Sequence, residues 1–412
     1  VNGARRESPG AIGSAMTDLV AITGMGCISA AGKTVAANAA GLRNPNRTCV
    51  LSTAVGPANP YPVFSVADPE MAATPDEMRV ARFAIKAAGE ALASAGIDDP
   101  SRFTRVGVFM GSTTSCQLND IEFQRAYRQS GKVGPYSPER YFSGHLAERV
   151  ARRFALPAGP RWVVANACAS ATDSIGMAWD AIRQGLCDLA LAGGADELSP
   201  VSLCGFHSLG VVSPAPCRPF DRDRSGLNLG EGAGVLVLEP SSAAARRGRI
   251  PAVFVAGYGS AGDGHHMTAP HPDGLGLELA IRRALAAAGI SPSDIAFVNA
   301  HGTATRDNDR IEGRTLAKIF GDSILAVSTK GYTGHALGGV GGMEAVFTAI
   351  GLSEGWIPAS IGFENADPDI PLRPPVKPTP VSGRYAISTS LAFGGGNAAL
   401  ILRRDGEGKA LQ

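Results

Sequence analysis

Four stretches of the first half of the chain return in the same order in the second half, and this duplication restricts the fold more than any other feature. Glu90-Ala-Leu-Ala-Ser-Ala-Gly96 corresponds to Arg283-Ala-Leu-Ala-Ala-Ala-Gly289, each a helix closed by a glycine. Apolar runs then follow in both halves: Val106 to Gly111, with Ser112 and Thr113 behind it, matches Ile295 to Ala300, with His301, Gly302 and Thr303 behind it. The segment Gly176 to Gly185 pairs with Gly342 to Gly351, and Gly232 to Leu238 pairs with Gly396 to Leu402. Strands alternating with helices, twice over, predict an α/β chain with a mainly parallel sheet in each half, the two sheets lying back to back. With 412 residues, 44% of them apolar and 18% charged, there is enough hydrophobic side chain to bury both halves.

The boundary falls at Glu239 to Pro251, so residues 17–250 and 251–405 form the two halves, with 113–160 as an insertion that has no counterpart. Residues 1–16 read as a flexible extension upstream of Met16; Arg5-Arg6 lacks the apolar run an export signal needs. No stretch is apolar and long enough to span a bilayer, and a net charge of +1 gives no global pull toward nucleic acid or a membrane surface. The seven cysteines show neither disulfide nor metal spacing, which fits a reducing, cytoplasmic setting and calls for no metal.

Reactive side chains in duplicated α/β halves belong at the carboxyl ends of corresponding strands. Cys168 stands in Val163-Val164-Ala165-Asn166-Ala167-Cys168-Ala169-Ser170, a strand that turns sharply into a helix. Such a turn exposes the sulfur to the helix N-terminus, whose N–H groups and dipole favour thiolate. His301, Lys330 and His335 follow strands of the second half in glycine-rich settings. For Cys27, Cys49, Cys187 and Cys204, and for His145, His207 and His271, a packing or structural role is the ordinary expectation. Asp309 and Glu312 read equally well as a charge cluster at a helix N-terminus. Thr303 and Thr305 read as turn hydroxyls, and the glycines around Phe393 as tight-turn residues.

Asn166-Ala-Cys168-Ala-Ser170, Arg218 to Gly226, Gly230 to Gly234, His301-Gly-Thr-Ala-Thr305, Ser328-Thr-Lys330, Gly334-His335 and Phe393 to Asn397 occur in one order from about Leu19 to Arg403. In that order they resemble the condensing enzymes of the thiolase superfamily, specifically the β-ketoacyl-acyl-carrier-protein synthase I/II type and the ketosynthase domains of polyketide synthases. The resemblance implies a thiolase-like fold, its duplicated halves layered α-β-α-β-α. It implies a decarboxylative Claisen condensation of a cysteine-bound acyl chain with malonyl-acyl-carrier protein, in fatty-acid or polyketide synthesis. It makes Cys168 the nucleophile, the backbone N–H groups of Cys168 and Phe393 the oxyanion hole, and His301 and His335 the hydrogen-bond donors to the enolate. Lys330 becomes an orienting and electrostatic group, with Asp309, Glu312 and Glu344 as supporting acids; Glu344 fits either a cation site of the family or a cap on internal amides. Thr303 and Thr305 would bind the pantetheine amides, Phe393 would be a gatekeeper, and Thr114, Tyr141 and Phe142 would line the acyl pocket.

The implied partners are an acyl carrier protein, which brings the phosphopantetheine so that the enzyme needs no cofactor of its own, and a second copy, with the strand Trp162 to Asn166 pairing across a two-fold axis. A heterodimer with a partner subunit is the other arrangement. Carrier docking would use Arg79, Arg82, Arg125, Arg128 or Arg140. The sequence departs from the family pattern at several places. Gly396 stands where threonine is usual in the string after the gatekeeper, and Leu391-Ala392 stands before the gatekeeper where glycine and phenylalanine are usual. Asn228 stands where an apolar residue is usual, and Asp76 to Arg79 is mixed in charge where relatives are more basic. A thiolase or an initiating synthase is the competing enzymatic reading, disfavoured by the two histidines. A non-elongating subunit of the chain-length-factor type is disfavoured by the presence of Cys168.

Overall fold

A computed structural model describes residues 18–53, 60–74, 76–113, 121–132 and 145–405. Strand Val20–Ile28 is buried at every position, as expected of a strand covered on both faces. It pairs antiparallel with Gly232–Pro240 along nearly its whole length and, through Val20 to Ile22 alone, with Val253 to Val255. That short contact joins two five-stranded halves into one ladder. In spatial order the ladder runs Leu325–Val327, Ile295–Asn299, Tyr385–Leu391, Gly396–Arg404, Val253–Gly262, then Val20–Ile28, Gly232–Pro240, Leu189–Asp196, Val106–Gly111 and Arg161–Val164. The sheets expected to be separate are therefore hydrogen-bonded at one edge.

Neither half is mainly parallel. Val106–Gly111 runs parallel to both its neighbours, as does Ile295–Asn299, but the inner strands of each half pair antiparallel. The cause is local: Leu391 and Gly396 are joined by a tight turn, in which Ala392 N–H donates to Gly396 O, so the last two strands form a hairpin instead of a crossover.

Helices Ser170–Arg183 and Val340–Glu354 lie between the halves and pack on strands of both. The second is buried from Val340 through Ser353, which explains why it is apolar all round. Their side chains share one core, in which Ile175, Trp179, Val346 and Phe347 meet Leu236 from the first half and Leu400 from the second. Helices Arg79–Ser94 and Leu146–Arg153 cover the outer face of the first half, and Leu275–Ala288 that of the second. Leu146–Arg153 belongs to the stretch set apart as an insertion, yet it contributes Leu146, Ala147 and Val150 to the core. The layers are those of a thiolase-like α-β-α-β-α fold.

The duplication recurs in the packing. A methyl at Gly26 would lie 1.9 Å from Ala87 O, and one at Gly259 would lie 2.2 Å from Ala280 O. In both halves an alanine face of the outer helix therefore rests directly on strand backbone. Among the described residues no helix is long and apolar enough to cross a membrane.

Candidate active site

Cys168 sits in a single 3-10 turn, Ala167–Ala169, between strand Arg161–Val164 and helix Ser170–Arg183. Ala167 has φ 42°, a left-handed conformation that costs a residue with a Cβ about 1 kcal/mol or more. The turn holds because Ser170 Oγ accepts from Asn166 N–H at 2.8 Å and donates to Ala167 O at 2.6 Å. Cys168 is buried, and burial pushes its thiol up to about 12; Lys330 and the Phe393 N–H pull the other way without reversing this. The expected resting thiolate is thus a thiol, because loss of water outweighs the helix terminus.

His335 Nε2 lies 3.1 Å from the Cys168 sulfur. Its backbone is fixed from the first half, since His335 N–H donates to Asn228 O and Gly230 N–H donates to His335 O. The Asn228 amide, anomalous in an apolar place, is satisfied: Oδ1 accepts from Cys217 N–H at 2.6 Å and Nδ2 donates to Ser213 O at 3.1 Å. The His301 ring stands edge-on to that of His335, their centroids 5.2 Å apart. The donor atoms of Cys168, His301 and His335 all lie within 4.8 Å of one another. Burial, with Lys330 nearby, holds both imidazoles well below the usual histidine range, so both are neutral at physiological pH.

Lys330 is fully buried, and its Nζ donates to His301 O and to Glu344 Oε1, each at 2.5 Å, and lies 3.3 Å from His301 Nδ1. An ammonium can only donate, so Nδ1 accepts and the His301 proton resides on Nε2. Burial raises Glu344 to about 7 against the opposing pull of Lys330. Glu344 thus pairs with the lysine instead of capping amides through Oε1. Asp309 and Glu312 act elsewhere, on backbone. Glu312 accepts from His301 N–H and Gly302 N–H at 2.7 Å each and from Thr389 Oγ1 at 2.8 Å, while Asp309 accepts from Phe220 N–H and Ala304 N–H. Both acids are buried and hold the His301 loop in shape, which a solvated charge cluster would not do.

These groups open into a cavity of about 350 Å³. Phe393 lines it, its ring stacked on Phe206 at 5.4 Å, and its backbone N–H reaches the Cys168 sulfur. Thr303 and Thr305 line it too, with their hydroxyls 2.9 Å apart. Phe206 and Asp263 stand in no motif that marks them, yet they meet this cavity from other segments. Arg79 is not available for docking, because it forks onto Glu231, with Nη2 to Oε1 at 2.6 Å and Nε to Oε2 at 3.0 Å. Cys204 is exposed instead of packed. Thr114, Arg140, Tyr141, Phe142 and residues 1–16 lie outside the described residues.

Residues 17–244 match the family model "Beta-ketoacyl synthase, N-terminal domain", and residues 252–364 match "Beta-ketoacyl synthase, C-terminal domain". The chain is 34% identical over 342 residues to 3-oxoacyl-[acyl-carrier-protein] synthase 2 of Staphylococcus aureus, covering 79% of this chain and 82% of that protein. The ishigamide ketosynthase/chain length factor structure superposes with a TM-score of 0.89 at 32% identity, over 95% of this chain and 100% of the other. A ketosynthase solved in complex with its chain length factor, from Xenorhabdus doucetiae, gives a TM-score of 0.82 at 30% identity, over 94% and 98%. A buried cysteine facing two neutral histidines across duplicated halves, together with these matches over most of its length, makes this chain a member of the β-ketoacyl synthase family, a condensing enzyme of the β-ketoacyl-[acyl-carrier-protein] synthase type.

Proposed function

We propose that Cys168 takes an acyl chain from the pantetheine thioester of an acyl carrier protein and that His301 and His335 then serve the decarboxylation of malonyl-carrier protein. The observation that carries this reading is the 3.1 Å contact between Cys168 Sγ and His335 Nε2, with His301 beside it and both rings neutral. In acylation the sulfur attacks the thioester carbonyl, its proton leaves with the pantetheine thiol, and the N–H groups of Cys168 and Phe393 stabilise the tetrahedral oxyanion. In the second half-reaction carbon dioxide leaves the malonyl group and negative charge develops on the thioester oxygen. A neutral imidazole with its proton on Nε2 donates to that oxygen, and Lys330 on Nδ1 holds His301 in that tautomer. The enolate carbon attacks the acyl carbonyl, the carbon–sulfur bond to Cys168 breaks with the sulfur leaving as thiolate, a proton taken up from solvent restores the thiol, and a β-ketoacyl thioester two carbons longer departs. Thr303 and Thr305 bind the pantetheine amides at the cavity wall, and Phe393 gates the acyl end.

The enzyme works with one partner subunit. Among the described residues strand Arg161–Val164 ends the ladder with one edge unpaired, and Trp162 on it is 41% exposed, which supports pairing with a second strand there. A second copy is the reading we adopt. The other arrangement is a heterodimer, supported by the likeness to a ketosynthase solved with its chain length factor. The solution mass of the purified chain, twice the chain mass for a second copy and the single-chain mass for a missing different subunit, separates the two.

The test is product formation from a panel of acyl-carrier thioesters with malonyl-carrier protein. Carbon dioxide release with a β-ketoacyl product from at least one acyl donor is the expected result. Acyl exchange between carriers with no product from any donor would sink the condensation reading.

A further inference from the structure

Gly396 stands where the family resemblance places a threonine, and the structure shows what a side chain there would meet. A methyl built on Gly396 would lie 2.6 Å from Asn166 Oδ1 and 2.9 Å from Asn166 Nδ2. The end of a flexible side chain ordinarily swings aside from such a clash, but this amide is tied. Asn166 Nδ2 donates to Asp173 Oδ2 at 2.6 Å, and Tyr258 OH donates to Asp173 Oδ1 at 2.8 Å. Asp173 lies on the helix that starts behind Cys168, and Tyr258 comes from a strand of the other half. Asn166 is itself two residues before the nucleophile, in the turn closed by Ser170.

On its other side Gly396 closes the turn that carries Phe393. Ala392 N–H donates to Gly396 O and Gly395 N–H donates to Ala392 O, so a shift at Gly396 is transmitted to the backbone of residue 393. We propose that Asn166, held by Asp173 and Tyr258, is a positioning residue: its amide and the bare Cα of Gly396 form one contact that sets the Phe393 N–H over the Cys168 sulfur. The proposal rests on the reading of that N–H as an oxyanion donor, and it makes residues 166 and 396 an interdependent pair. A hydrogen-bonded asparagine here requires glycine opposite, and a larger residue at 396 requires a shorter one at 166.

The pair predicts which step suffers. Cysteine acylation passes through an oxyanion at Cys168 and needs the Phe393 N–H, whereas uncoupled malonyl decarboxylation draws on the histidines and does not. Loss of one oxyanion donor costs roughly a hundredfold or more in rate, so partial displacement in Gly396→Thr is expected to slow acylation at least about tenfold. Asn166→Ala alone is expected to slow it about threefold, and Asn166→Ala with Gly396→Thr to recover to within about threefold of wild type, a coupling that independent sites do not show.

The experiment measures acylation rate, malonyl decarboxylation rate and melting temperature for wild type, both single variants and the double variant, with Gly396→Ala as the milder substitution should Gly396→Thr not fold. Slowed acylation with decarboxylation unchanged, and rescue in the double variant, is the expected result. Additive effects in the double variant, or equal loss of both reactions, overturns the proposal. A wild type that is never acylated at Cys168 would remove the oxyanion role itself; the coupling in melting temperature still reads the steric contact separately, and its absence would overturn that contact as well.

Discussion

The turn that carries Cys168 has a twin in the other half, and the two are put to different uses. Ala167–Ala169 leads into one central helix and Leu337–Gly339 into the other, each a 3-10 turn whose first residue is left-handed, with φ 42° at Ala167 and 46° at Leu337. The place of Cys168 is taken by Gly338 in the twin. There the N–H donates to Asp196 Oδ2 at 2.7 Å and to Thr113 Oγ1 at 2.8 Å, and a methyl would lie 2.5 Å from Thr113 N. One turn therefore presents a thiol to a cavity while its copy binds a carboxylate from the opposite half. A strained strand-to-helix turn does not by itself make a nucleophile; what lies across from it decides, and across from Cys168 lie two neutral histidines.

The largest expected way to break this contrast is to remove the histidines. His301→Ala and His335→Ala are each expected to lower condensation by roughly a hundredfold to ten-thousandfold, the range for a positioned proton donor, measured as β-ketoacyl product per unit time. Undiminished turnover in either variant would mean that the pairing of the halves is not what makes the first turn reactive.

Lys330→Ala comes next. It leaves Glu344 buried without its partner, and breaking a buried ion pair in this way costs about 3–5 kcal/mol, read from denaturant unfolding. His301 also loses the donor on Nδ1, so condensation should fall further than acylation. Equal loss of both steps would reduce Lys330 to a stabilising role.

Asp196 tests the twin turn through pH. Burial raises its carboxyl from 3.8 to about 6, so in the interval between those values the folded protein binds a proton that the unfolded chain has released. Its contribution to stability is accordingly greatest below the lower value and is lost as pH rises through the upper one. Asp196→Asn should flatten the fall in melting temperature across that interval while leaving Cys168 acylation within a few-fold of wild type. An unchanged pH slope would contradict the raised carboxyl.

The smallest effect concerns the shared scaffold. Gly26→Ala and Gly259→Ala should each cost about 1–3 kcal/mol by forcing an outer helix off its strand, and by similar amounts, because the contact is the same in both halves. Stability measured by denaturant titration gives the comparison, and a large cost at one site with none at the other would break the packing symmetry.

The duplication and the gathering of Cys168, His301, Lys330 and His335 were legible in the sequence because glycines and strand ends keep fixed spacings in both halves, whereas the layer order followed from the family resemblance. Strand direction was not: the hairpin that makes Tyr385–Leu391 and Gly396–Arg404 antiparallel depends on a turn closed by Gly396 O, which apolar periodicity does not register. The protonation of Cys168 was also misjudged, since a helix N-terminus is visible in a sequence and the burial of the thiol it carries is not. Asp309 and Glu312 were marked as supporting acids only by the family resemblance; their partners are backbone N–H groups, His301 eleven residues before Glu312 and Phe220 far from Asp309 in the chain, which carry no identity in the sequence. Asn228 and Gly396, which looked like departures, are explained only by neighbours from distant segments, Cys217 and Ser213 for the one and Asn166 for the other.

The central claim is that one half holds the acyl chain and the other discharges it. Intact mass followed by peptide mapping after addition of an acyl-carrier thioester, then again after malonyl-carrier protein, tests it most directly. The account predicts a single acyl adduct on the peptide containing Cys168, absent in Cys168→Ala, that disappears on malonyl addition as β-ketoacyl product forms. An adduct on another residue, an adduct surviving in Cys168→Ala, or one that malonyl-carrier protein never discharges would contradict it.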